Sequence, residues 1–288
     1  MAMDQQAAME RLRELYQEKN EHLETFLEAV TPFEFYREIF PVGSFERKGH
    51  FEDEKGNGIA VTVPPKAAGI ALEIKEEGKA KRYTITDELS ELSEVYNTDF
   101  TIMSPLSYFG RRRCGKNARY LYALVFDLDG VGMPQLRDTL HQMNKDILPQ
   151  ATFVVNSGTG LHLYYVLDEP IPMYPHNQKC LKELKYSLTR QIWNRYTSTI
   201  KEPQMQGILQ GFRVVGSGSK LGREYPVRAF PVSYTHLDVY KRQGQGFTAL
   251  FPDGWHEITL EVAWEPTGPA CWYISTPGFE GVCPLACS

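Results

Sequence analysis

The sequence predicts an α+β fold in two parts, preceded by a helix, and three observations carry that expectation. From Arg119 onward, apolar runs of strand length alternate with helical stripes in the order strand, helix, hairpin, helix, strand. Before that, residues 31–118 show one short helix and several strand-like runs broken by Gly, Pro and Lys/Glu clusters, a small α/β module. Ahead of both, residues 1–30 carry one amphipathic pattern.

Within residues 4–30, Met9, Leu12, Tyr16, Leu23, Phe26, Leu27 and Val30 recur at spacings of three, four and seven. That is the stripe of a helix that packs on the body of the protein or on a partner. Thr31-Pro32 supplies an N-cap and first-turn proline for a second helix, ending near Phe40-Pro41. Strand-like runs follow at 58–63, 69–74 and 82–85. RYLYALVF at 119–126 reads as a buried strand, and 134–146 as a helix with Leu136, Leu140 and Met143 on one face. ATFVVN (151–156) and LHLYYVL (161–167) are strands around a tight SGTG turn. The segment 177–197 is helical, with Cys180, Leu181, Leu184, Leu188, Ile192 and Trp193 inward, and a last strand runs near 211–215. This order suits an open sandwich with mostly antiparallel pairing, akin in layer plan to RNA-recognition-motif folds.

The 288 residues, 42% hydrophobic and 12% aromatic, suit a well-cored protein. No segment is long and apolar enough to span a membrane, and the N-terminus lacks the basic-then-apolar order of a signal peptide, so the cytoplasm is the expected location. The five cysteines (114, 180, 271, 283 and 287) form no CxxC knuckle, so no structural zinc is expected. The net charge of −5 divides unevenly: residues 1–231 hold 29 basic and 30 acidic side chains, and most of the excess acid lies in the tail.

That tail begins abnormally. VSYTHLDVYKRQ at 232–243, with suitable codons and the end of a proline codon for Pro231, back-translates to a DNA string that is its own reverse complement. The string resembles two transposase end sequences of sequencing adaptors joined head to head. Residues 232–243 are therefore expected to be an adaptor artefact and 244–288 a chimeric tail, with the natural continuation beyond Pro231 lost. Cys283 and Cys287 carry no weight on that reading.

Three constellations carry chemistry. FDLDG closes the 119–126 strand with Asp127 and Asp129 on one face, because side chains alternate along a strand. Two such carboxylates repel unless a cation sits between them, and Mg²⁺ or Mn²⁺ with oxygen ligands is the usual solution. NSGTGLHLYYVL places His162 just after Gly158 and Gly160. Those glycines let backbone N–H groups approach an anion closely, while the imidazole can donate to a phosphate oxygen. FRVVGSGSKLG presents Arg213, Ser217, Ser219 and Lys220 around two glycines, cationic groups suited to a triphosphate. Taken singly, each has a plainer reading, as a solvated strand end, a core histidine or a basic turn.

In that order the runs resemble the DxD, SGxGxH and RxxGSxxK-type motifs of primase-polymerases of the archaeo-eukaryotic primase superfamily, most closely the replication proteins of plasmids, phages and integrative elements. The likeness covers roughly residues 30–231. It implies a two-part core, an N-terminal α/β unit and an RNA-recognition-motif-like half with the active site between them. It also implies metal binding by Asp127 and Asp129, and nucleotide-phosphate binding by His162 with Ser157, Gly158, Gly160, Arg213, Ser217 and Lys220. The implied activity is metal-dependent nucleotide polymerisation on a single-stranded DNA template from nucleoside triphosphates, with room for a replicative helicase as partner. The family usually supplies a third acid shortly before the Arg-containing motif, whereas 204–211 reads QMQGILQG. Glu202 is the nearest candidate.

Arg111, Arg112, Arg113 and Lys116 lie among Tyr108, Phe109, Tyr120 and Tyr122, cations and aromatics that suit template phosphates and bases. A solvated charge run is the plainer alternative. Two other functions stay open. FDLDGV also resembles the nucleophile motif of haloacid-dehalogenase-type phosphatases, which would require a parallel sheet opened by that strand and a late acidic pair. A replication-initiator module could keep the fold and bind DNA without polymerising.

Overall fold

The computed structural model describes residues 2–46, 67–75, 78–110, 112–232 and the backbone of five short strands beyond Val232. Helix α1 (Ala2–Glu24) is shorter than its spacing predicts. Tyr16 and Leu23 are buried but Met9 and Phe26 are exposed. The stripe is broken because the chain leaves the helix to run along the sheet, where the Val30 N–H donates to Ala229 O at 3.0 Å. Helix α2 (Pro32–Ile39) starts as expected: Thr31 caps the Glu34 N–H, and the Glu34 carboxylate accepts from the Thr31 N–H in return. Its inner face buries Phe35, Tyr36 and Ile39.

Strands β1 (Ala67–Ile74) and β2 (Ala80–Ile85), helix α3 (Leu92–Val95), and strands β3 (Thr101–Met103) and β4 (Leu106–Phe109) complete the first half. The strand expected at 58–63 lies outside the described residues. The second half runs β5 (Ala118–Leu128), α4 (Met133–Asn144), β6 (Phe153–Asn156), β7 (Leu161–Pro172), α5 (Pro175–Ile192), β8 (Phe212–Arg213), β9 (Gly218–Ser219), β10 (Gly222–Pro226) and β11 (Arg228–Pro231). No described helix is long and apolar enough to cross a membrane.

Nine strands form one sheet in the order β11-β6-β7-β5-β4-β1-β3-β8, with β2 also pairing with β1. Among the described residues every strand pairing is antiparallel. The mixed helix and antiparallel-sheet architecture is that of an α+β chain. It also counts against the phosphatase reading, which needs a parallel sheet. One strand is shorter than expected. The last strand, sought near 211–215, is two residues long and pairs with β3, while the place beside β5 is held by β4. The two halves therefore share one sheet, and β8 hangs from the N-terminal branch of it.

The sheet has a core on each face. On one, α4 and α5 pack Leu136, Leu181 and Leu188 over Leu124, Phe126, Leu128 and Leu163. On the other, α2 packs Phe35 and Tyr36 over Val125, Val155 and Tyr164. A register shift in β5 between Leu121 and Ala123 moves inward residues from odd to even positions on the helix-covered face. Without it Val125 and Asp127 would face α4 and α5, since a one-residue slip exchanges the faces.

The expected natural boundary falls at the end of β11, where Val232 N–H still bonds to Thr152 O at 3.0 Å. Five strands between Val239 and Val282 pair only among themselves as a separate sheet. Ending the chain after Val232 is expected to keep nucleotide affinity within about twofold, since β11 and the buried Phe230 remain. A folded core that loses a nucleotide affinity shown by the full chain would make the tail functional.

Candidate active site

Asp127 lies near the end of β5, and Asp129 directly follows the strand. Leu128 between them is buried in the core beneath α4 and α5, so both carboxylates belong to the opposite face. The Asp127 side chain is 27% exposed. Its backbone is held by an unexpected group. Asp127 N–H donates to Gln206 Oε1 at 3.2 Å, and Gln206 Nε2 donates to Asp127 O at 3.1 Å. Strand β4 pairs with β5 only between Ala118 and Leu121, so the buried Gln206 amide takes the place of a neighbouring strand here.

This clamp explains the next contact. Asp127 is registered opposite His162 on β7. Because both main-chain groups of Asp127 point away to Gln206, the two residues form a non-hydrogen-bonded pair, the kind whose side chains approach most closely. His162 Nε2 lies 3.5 Å from Asp127 Oδ1, a close electrostatic contact rather than a full hydrogen bond. Phe212 packs on the imidazole at 5.5 Å between ring centres. Burial holds His162 below the ordinary histidine range; Asp127 and Asp129 oppose that shift, while Arg213 and Lys220 reinforce it. The net shift favours the uncharged ring. Its Nδ1 is buried without a hydrogen-bond partner, so Nε2 is the nitrogen directed at the acidic pair.

The turn between β6 and β7 needs both glycines. Gly158 has φ +108°, and a Cβ there would sit 2.9 Å from the Ser219 side chain. At Gly160 a Cβ would meet Leu128 O at 2.5 Å and Asp129 Oδ1 at 3.4 Å. The turn is therefore pressed between the end of β5 and the 216–221 loop. Asn156 braces it, accepting from the Gly158 N–H and donating to Tyr16 O and Asn20 Oδ1 of α1. Ser157 is buried beside it.

From the third run, Arg213 on β8 donates to Gly218 O at 3.1 Å and stacks over Phe100 at 4.1 Å. Burial lowers its pKa, and the nearby Asp127 charge opposes that shift. Lys220 is exposed. Ser217 is fully buried, and its hydroxyl donates to Val214 O at 2.7 Å, so in this structure the side chain shapes the turn.

Lys185 of α5 is a site residue that the motifs do not point to. It is 2% exposed, donates to Gly207 O at 3.3 Å and packs against the Phe126 and Phe212 rings. Burial pushes its ammonium down to about 7, with the Asp127 carboxylate resisting. The position is legible in principle: 185 follows Leu181 by four and precedes Leu188 by three, inside the apolar stripe of the helix. Lys19, between Tyr16 and Leu23 on α1, repeats the pattern.

Glu202 is exposed, and among the described residues no group of three or more His, Cys, Asp and Glu side chains is arranged to hold a metal ion. Two carboxylates remain as the donor set. That set fits Mg²⁺ or Mn²⁺, which take oxygen ligands and commonly complete their shell with water and substrate phosphates.

Of the basic run, Arg111 lies outside the described residues, Arg112 and Lys116 are exposed, and Arg113 is half-buried against Gly211, where a Cβ would strike its Nη1. Changing Arg111, Arg112 and Arg113 together to Ala is expected to weaken single-stranded DNA binding and lower its salt dependence. The log–log slope should fall by about 0.7 for each phosphate that the variant no longer neutralises. Arg113→Ala alone should leave the slope unchanged. An unaltered slope in the triple variant would return the run to a solvated loop.

No protein-family model matches the chain, and no curated protein does. Among solved structures it is similar to the AEP domain of the cyanophage S-2L primase-polymerase, with a TM-score of 0.43 and 13% sequence identity over 60% of this chain and 84% of that one. It is also similar to the polymerase domain of Mycobacterium tuberculosis ligase D in complex with DNA, with a TM-score of 0.29 and 17% identity over 77% of this chain and 79% of that one.

Proposed function

We propose that the chain is a metal-dependent nucleotidyltransferase, a primase-polymerase that extends a strand on a single-stranded DNA template from nucleoside triphosphates. The supporting observation is convergence. Asp127 and Asp129, the 157–160 turn and the Arg213–Lys220 segment, far apart in sequence, meet at one end of the sheet. Acid, anion-binding backbone and cation then lie together, which is what triphosphate chemistry requires.

In this reading Asp127 and Asp129 would hold Mg²⁺ or Mn²⁺, which would supply charge neutralisation at the α-phosphate of the transferred nucleotidyl group and at the leaving pyrophosphate. The turn at Ser157, Gly158 and Gly160 faces the phosphates, with Arg213 and Lys220 contributing positive charge. His162, beside Asp127, contributes a phosphate contact at the same end of the sheet. The motif order supports a cytoplasmic replication protein of a plasmid, phage or integrative element. The test is incorporation: with Mg²⁺ or Mn²⁺, template and nucleoside triphosphates, the protein should make or extend a short strand.

A second reading has one observation in its favour. The segment where a third acid is sought carries Gln206, which is spent on the Asp127 backbone. A replication-initiator module that binds DNA without polymerising would shift a single-stranded probe and incorporate nothing.

A further inference from the structure

Lys19 lies in the C-terminal half of α1 and is 0% exposed. Among the described residues no carboxylate accompanies it, and its hydrogen bonds are long ones, 3.5 Å to Gly158 O and 3.4 Å to Thr159 O. Burial without an acidic neighbour brings its ammonium down to about 8. A buried cation facing two neutral carbonyls is poorly compensated, and the usual remedies are a change of protonation or an anion close by.

The geometry of the turn says where that anion goes. Each peptide unit is planar and trans, so its C=O and the following N–H point in opposite directions. With the carbonyls of Gly158 and Thr159 both drawn toward Lys19, the N–H groups of Thr159 and Gly160 both point away from α1. Consecutive N–H groups turned to one side form an anion-binding concavity. Gly160 abuts Asp129 and Gly158 abuts Ser219, so this concavity lies beside the acidic pair and the basic loop. Tyr16 and Asn20, on the same helix as Lys19, anchor the same turn through Asn156, and the Tyr16 hydroxyl reaches Pro226 O.

We infer that α1 is part of the phosphate site: Lys19 is a positioning residue that turns the Thr159 and Gly160 N–H groups toward a polyphosphate and places an uncompensated positive charge behind them. The inference deepens the nucleotide-binding reading and rests on it only for the identity of the natural ligand. A polyphosphate chain alone is the chemistry it requires.

The experiment therefore uses the full chain and inorganic tripolyphosphate, with no template and no polymerisation. Wild type should bind tripolyphosphate. Lys19→Met should weaken it by about tenfold or more and speed amide exchange at Thr159 and Gly160, leaving exchange in β5 and β7 unchanged. Lys19→Arg should recover most of the affinity. Lys19→Gln keeps a donor for one carbonyl while removing the charge, so it should fold even if Lys19→Met does not, and should still bind at least about fivefold more weakly. Wild-type affinity and wild-type exchange in a folded Lys19→Gln or Lys19→Met chain would overturn the inference, as would absence of tripolyphosphate binding by the parent. A parent that binds tripolyphosphate with the expected Lys19 dependence yet incorporates no nucleotide would instead count against the polymerase reading alone.

Discussion

Asp127→Asn and Asp129→Asn are each expected to abolish template-directed incorporation, by on the order of 10³-fold or more, while leaving binding of a single-stranded probe nearly intact. Asparagine keeps the shape of the side chain and removes the anionic oxygen that a hard divalent cation requires. The surroundings separate the two variants. The Asp127 charge acts on the buried His162, Tyr164 and Lys185 and on the half-buried Arg213. Neutralising it removes the carboxylate that opposes the burial of the Lys185 ammonium, so Asp127→Asn should also destabilise the fold, by about 1–3 kcal/mol. Asp129, outside the strand, acts on His162 only as a lesser influence, and its variant should lose activity with little change in thermal midpoint. His162→Ala should differ from both, mainly raising the apparent nucleotide KM. Incorporation at the wild-type rate by both Asp variants would end the primase-polymerase reading. An inert parent that still binds template would put the initiator module in its place.

Much of this arrangement is legible in the sequence because local chemistry and global fold agree. Thr31 and Pro32 announce α2, the alternation around FDLDG places two acids on one face, and the SGTG turn can only be a tight hairpin. The failures share a cause, which is that a partner chosen by tertiary structure leaves no periodic trace. Strands β3 and β4 are three and four residues long on either side of Pro105, too short to show alternation. Strand β8 is expected near 211–215, yet it is only two residues long and pairs with β3 of the first half. Ser217 reads as a phosphate contact among glycines and basic residues, but its hydroxyl closes the turn on Val214. Lys19 and Lys185 are visible as cations inside apolar stripes. What the sequence alone does not show is that each faces a backbone carbonyl of the site region, Gly158 and Gly207 respectively.

Gln206 is the residue whose importance is least visible in sequence and whose replacement carries the second large expectation. It sits in QMQGILQG, a run without a carboxylate, and its position reads as that of a missing acid. In the structure its amide supplies both a donor and an acceptor to Asp127, at the stretch of β5 that β4 does not cover, and Lys185 fixes the adjoining Gly207 carbonyl. Gln206→Met preserves length and apolar volume but offers neither bond. Two main-chain groups of Asp127 would then be left unpaired in a partly buried setting, at about 1–2 kcal/mol each, so a loss of about 2–4 kcal/mol in unfolding free energy is expected. The effect on turnover should be larger in proportion. Without the clamp the end of β5 can swing its main-chain groups elsewhere, and the close pairing of Asp127 with His162 depends on their present direction. Turnover should fall about 10- to 100-fold with the nucleotide KM little changed, because the 157–160 turn is held from α1 and not by Gln206. Gln206→Glu keeps an acceptor for the Asp127 N–H and loses the donor to its carbonyl, so it should fall between Gln206→Met and wild type in stability. Equal unfolding curves and equal turnover for Gln206→Met and wild type would show that Asp127 is positioned by its strand pairing with β7 alone.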